Sequence, residues 1–207
     1  MRYAHPLLLL AVLMAGTALP AQAQGPWSVF VGGGAAGFGG ASKPAAGEEG
    51  DVQQFKPTPT TRLHLGVART LGPGGIALDV SYAKAGLGGY ADGTSYSLNP
   101  ALRLYDVRLL ASYEVLTLGP ATPVRLAVGP MLQVWSGDAI IDTQTRLGGA
   151  ATITMGVPIS GSVGVIVSGS LGVAGSPFDA ETLSSAGLFE PVTTWTRELA
   201  VGLRLSL

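Results

Sequence analysis

The 207 residues hold 12 Lys and Arg against 13 Asp and Glu, and charged residues make up 12%, about half the ~25% of an ordinary soluble domain. There is no cysteine, which excludes a disulfide framework and a lipoprotein anchor, and the net charge of −1 without a basic cluster argues against a nucleic-acid partner. Beyond the first residues no run approaches 18 consecutive apolar positions, so no transmembrane helix is expected. The other way for so apolar a chain to cross a bilayer is a closed β-barrel.

In chain order, Arg2, the apolar run "PLLLLAVLMAG" and the A-x-A site Ala21-Gln22-Ala23 predict a secretory signal over 1–23, cleaved before Gln24. Residues 24–207 then form one domain. Strict period-2 alternation, the signature of strands with unlike faces, recurs along it. In "WSVFVGGGAAGFGG" the set Trp27, Val29, Val31 is regular, although Phe30 breaks the opposite set. Leu63, Leu65, Val67 alternate with Arg62, His64, Gly66, and Ile76, Leu78, Val80, Tyr82 with Ala77, Asp79, Ser81, Ala83. Tyr105 to Val115 alternate with Asp106, Arg108, Leu110, Ser112, Glu114. Val124, Leu126, Val128 alternate with Arg125, Ala127, Gly129, and Ile153, Met155, Val157 with Arg146, Gly148, Thr152, Thr154. Val163 to Val173 alternate with Ser162, Gly164, Ser168, Ser170, and Trp195 to Leu207 with Thr196, Glu198, Ala200, Gly202, Arg204.

Eight strands are therefore predicted, over 26–38, 60–71, 75–86, 104–116, 123–136, 146–157, 161–174 and 193–207. Their connections alternate. Short turns ("GPG", "TLGPAT", "PIS") follow the even strands, and longer loops, 39–59, 87–103, 137–145 and 175–192, follow the odd ones. In an all-β, eight-stranded antiparallel up-and-down barrel this puts every short turn at one rim and every long loop at the other, with the last strand closing on the first.

On this pattern the chain resembles the small eight-stranded outer-membrane β-barrels, the OmpA membrane-domain, OmpX and OmpW type. The resemblance covers the whole of 24–207 and implies a transmembrane barrel in the outer membrane of a Gram-negative-type cell. It also implies outer-membrane lipid, lipopolysaccharide included, and the outer-membrane assembly machinery as partners.

The apolar sets suit a lipid-facing exterior. The opposite sets carry Arg62, His64, Asp79, Asp106, Arg108, Glu114, Arg125, Arg146, Glu198 and Arg204, an expected interior polar network. On the lipid face each Arg would cost ~2–4 kcal/mol near the midplane, whereas in a narrow lumen they can pair. Glu114 and Arg125 flank one turn and share a face, so they are expected to form a salt bridge near the short-turn rim, with Asp79 or Arg204 as further members. A second layer would draw on Arg62, Asp106, Arg108, Arg146 and Glu198. Outward aromatics (Trp27, Tyr113, Tyr82, Tyr105, Trp195) fit membrane-interface girdles, with Lys84 and Arg197 near the outer rim.

Apparent chemical motifs dissolve on inspection. "GGGAAG" (32–37) matches a dinucleotide fingerprint, but a loop and not a helix is expected after it. Ser81 and Lys84 match S-x-x-K, yet residues three apart on a strand face opposite ways. Enzymes among small outer-membrane barrels need a His-based site, and His64 is the only histidine beyond the signal. It is expected to be a packed polar residue. The loop acids Glu48, Glu49, Asp51, Asp138 and Asp142 match no calcium loop. No cofactor, metal or catalytic residue is expected. The functions in view are a non-enzymatic outer-membrane protein acting through its long loops, a narrow pore for small solutes, or a soluble lipocalin-like binding barrel.

Overall fold

The alternation takes the form of strands in a computed structural model, which describes residues 26–45, 54–91, 94–118, 122–137, 142–185 and 189–207. The expected signal segment lies outside them. The strands are β1 (Trp27–Pro44), β2 (Gln54–Pro57), β3 (Thr60–Leu71), β4 (Gly74–Ala91), β5 (Thr94–Leu118), β6 (Thr122–Gly137), β7 (Gln144–Ser160), β8 (Val163–Ala174) and β9 (Phe189–Ser206), with one short helix, α1 (Ala180–Ser185).

Eight of these strands pair antiparallel in a closed ring, β1-β3-β4-β5-β6-β7-β8-β9, and β9 returns to β1 from Ser28↔Ser206 to Pro44↔Phe189. Closure leaves no strand edge unpaired around the ring, as a bilayer demands. β2 pairs with the far end of β4, and the Ser42 hydroxyl both donates to the Phe55 carbonyl and accepts from its amide. It thus continues the place that β3 leaves free beyond Thr60.

Two hairpins show why their turns are short. Leu71 pairs with Gly74 and Ser160 with Val163, around Gly72 and Gly161, both at positive φ. Glycine first in a two-residue turn with positive φ matches the right-handed twist of the flanking strands. At mid-strand, Pro130 offers no N–H, and the β5–β6 ladder skips from Arg108↔Met131 to Ala111↔Val128.

The long-loop end departs from expectation. Residues 87–103 are not a loop, because β4 and β5 stay paired up to Ala91↔Thr94. The expected loop 39–59 begins inside β1 and contains β2, and 175–192 holds α1 and the start of β9. These extensions stand beyond the ~9–11 residues a strand needs to cross a bilayer. There the two faces need not differ in polarity, so the alternation fades while the pairing continues. A bulge at Gly40/Ala41, both at positive φ, bends β1 at this end.

Side chains sort by parity. Leu63, Leu65, Val128, Leu171, Leu199 and Val201 point outward and are each more than half exposed, while Arg62, Asp106, Arg108 and Glu198 on the opposite faces are buried. This arrangement rules out the lipocalin-like calyx, whose large aliphatic set would have to line the cavity. Phe30, the irregular residue of β1, points inward and lies over Gly66, where a Cβ would collide with its ring. Outward aromatics Trp27, Tyr113, Tyr105 and Trp195 remain exposed, and the rings of Tyr82 and Tyr105 meet tilted at 45° with centroids 5.1 Å apart.

Candidate functional site in the barrel interior

Three levels fill the lumen, taken from the short-turn end upward. At the lowest, Glu114 and Arg125 stand in register on β5 and β6, and Arg125 Nη2 meets Glu114 Oε2 at 3.0 Å. Their side chains remain 29% and 20% exposed, so water reaches this level.

The middle level is largely buried and crosses the bore. Arg62 on β3 reaches Asp106 on β5 at 3.2 Å and Glu198 on β9 at 3.3 Å. Arg108 grips Asp106 through Nε (3.1 Å) and Nη2 (3.2 Å), and also donates to Ser170 on β8 (3.3 Å) and to Glu198 (3.5 Å). His64 lies between two carboxylates, with Nδ1 3.2 Å from Asp79 and Nε2 in a short hydrogen bond to Glu198. A ring nitrogen facing a carboxylate must donate, so this geometry calls for an imidazolium. Three cations (Arg62, Arg108, His64) then face three carboxylates (Asp79, Asp106, Glu198). Side-chain exposure is zero at Arg62 and Asp106. Uncompensated charge at such depth costs several kcal/mol, which accounts for the pairing of every charge, although Nε and Nη2 of Arg62 are buried without a hydrogen-bond partner.

The top level is apolar. Phe38, Leu102, Leu104 and Trp135 from the barrel wall meet Phe178 and Leu183 from the segment around α1 in one buried cluster. The Phe38 and Trp135 rings meet edge-on at 5.6 Å. Gln133 joins the levels. Its Nε2 donates to Asp106 (3.4 Å), and its Oε1 accepts from Trp135 Nε1 (3.2 Å), so the indole is both packed and satisfied.

Two expected network members stand apart. Arg146 pairs with no acid. Its Nε donates to the Ser176 carbonyl at 2.6 Å and its Nη2 to the Phe178 carbonyl at 3.4 Å, so it ties down the segment that delivers Phe178 to the plug. Arg204 joins neither Glu114 nor any other acid among the described residues, and Asp79 turns to His64 instead of to the lower pair. Gln133 and Trp135 were not singled out in the sequence, and Ser170 was placed on the inward face without a role in the network. Following the β6 alternation past Gly129 to Met131, Gln133 and Trp135 finds both.

The motif matches resolve as strand. Residues 32–37 lie within β1, and a Cβ at Gly32 would come within 2.6 Å of the Val201 carbonyl oxygen on β9, so glycine there permits close strand approach at the seam. Of the loop acids only Asp142 is described, and no group of metal-ligating side chains occurs among the described residues.

No family model and no curated relative matches the chain. Solved structures do. OprG from Pseudomonas aeruginosa aligns with a TM-score of 0.57 and 13% identity over 90% of this chain and 100% of that one. The fold is that of the small outer-membrane β-barrels. Neisserial surface protein A matches similarly (0.56, 13%, 90% and 100%), as does AlkL in lipid bilayers (0.55, 13%, 91% and 95%). At such identity the likeness is one of fold alone.

Proposed function

We propose that the chain is a non-conducting, non-enzymatic outer-membrane barrel that acts through its long-loop, outer end. The observation that carries this reading is the double closure of the lumen, by the Arg62–Asp106–Arg108–Glu198 lattice and by the Phe38–Trp135–Phe178 plug above it. A narrow pore needs a continuous water path, and Arg62, Asp106 and Gln133 have no exposed surface to line one. A His-based enzyme needs a ring nitrogen free to take a proton, and both of those of His64 are bonded to carboxylates.

The outer leaflet supplies the first partner. Lys84 stands in register with Arg103, both exposed, next to the Tyr82↔Tyr105 pair. Like charges directly opposite repel, and a lipopolysaccharide phosphate between them relieves that repulsion. Export by the segment 1–23 and folding through the assembly machinery belong to the same reading. The test is electrical. Protein refolded into a planar bilayer is expected to give no discrete conductance steps, and regular unitary steps would overturn the proposal in favour of the pore.

A further inference from the structure

Two interior arginines pair with no acid: Arg146 is held by the Ser176 and Phe178 carbonyls, and the other, Arg204, has no such partner. A chamber of about 150 Å³ has the ion-paired His64, Asp79, Arg108 and Glu198 of the middle lattice as its upper wall and is lined beneath them by Arg125, Arg204 and the hydroxyls of Ser112, Thr152, Thr154 and Ser168. Every acid nearby is committed: Glu114 to Arg125, Asp79 to His64, Glu198 to His64, Arg62 and Arg108. Arg204 has no hydrogen-bond or ion-pair partner among the described residues, and its Nε is buried. Its guanidinium reaches across β8 to β7, where Nη1 lies 3.5 Å from the position a Cβ on Gly156 would occupy. That residue is two along from Thr154, which stands in register with Arg125. The Thr152 hydroxyl, also buried, has no partner either.

We propose that this chamber, open toward the short-turn (periplasmic) end, binds a small oxyanion on Arg204. A half-buried guanidinium offers two parallel N–H groups that match a phosphate or carboxylate edge, and hydroxyl donors complete such a shell. The Arg125 charge close by favours an anion further, because Glu114 neutralises only one of the two arginines. The volume suits inorganic phosphate or a short carboxylate and excludes larger solutes. The site is independent of the non-conducting reading, since a blocked barrel can hold an anion and an open one can lack it.

The experiment is calorimetric titration of the protein folded in detergent micelles with sodium phosphate and, separately, sodium acetate, at constant ionic strength held with a chloride salt. Saturable binding of at least one oxyanion is expected. R204Q is expected to weaken it at least tenfold and R204K by less, while R197Q, at an exposed outward arginine that does not line the chamber, leaves it unchanged. Folding of each variant is checked by the mobility difference between boiled and unboiled samples. If R204Q misfolds, the R204K-to-R197Q comparison and competition by chloride decide. Absence of saturable heat, equal binding by wild type and R204Q, or chloride binding as tight as both oxyanions would overturn the proposal.

Discussion

Glu198 receives four hydrogen bonds, from His64, Arg62, Arg108 and Ser170, as many as Asp106 but from four different residues. Its truncation to Ala leaves Arg62 and Arg108 sharing Asp106 and strips one carboxylate from His64. The expected cost is ~3–5 kcal/mol, the penalty of stranding buried charge, read from urea unfolding of the barrel in lipid vesicles. Glu114→Gln is expected to cost far less, ~0.2–1 kcal/mol, because that pair is partly hydrated. A reversed order would mean that water fills the middle level and stops short of the lower one. Charge pairing at a residue is therefore worth what its depth makes it worth.

At the scale of elements, β6 deserves the closest test, since it carries Arg125, Met131, Gln133 and Trp135 down one inward face. Trp135→Ala removes the centre of the plug, and ~3–5 kcal/mol of stability is expected to go with it. Conductance is still expected to stay absent, since the ion lattice beneath does not touch Phe38 or Phe178. Opening of the barrel by this one substitution would show that the lattice alone does not block the bore. The segment before α1 matters for the same reason: Arg146 holds its carbonyls, and Ser176 donates to the Ala41 carbonyl at the β1 bulge.

For the whole molecule, the decisive property is which face meets lipid. Leu199 is 65% exposed on the outer surface, so Leu199→Arg is expected to cost ~2–4 kcal/mol in a bilayer. A near-neutral effect in vesicles would contradict a lipid-facing belt. Orientation is tested separately. A protease site inserted within 46–53 is expected to be cleaved on intact cells, and one at 72–73 to be protected. The opposite pattern would place the short turns outside and the Arg204 chamber with them.

Parity is a local property. Alternation over six or more residues decides by itself which side chains face lipid, and the unlike composition of the two sets decides which face that is. Strand number and closure followed from the same pattern together with the alternation of short and long connections. The Glu114–Arg125 contact was equally readable, because a single turn separates its members and brings them into register. The partners of Arg62, His64 and Arg108 were not. They lie on β4, β5, β8 and β9, and which residues meet across the bore depends on the stagger between strands distant in the ring, which no local pattern encodes. Nor did the alternation reveal that Arg204 stays unpaired, that Arg146 serves backbone carbonyls, or that Phe178 enters the lumen from a connecting segment. Each of those outcomes depends on the three-dimensional distance between groups far apart in sequence, and tertiary structure alone sets that distance.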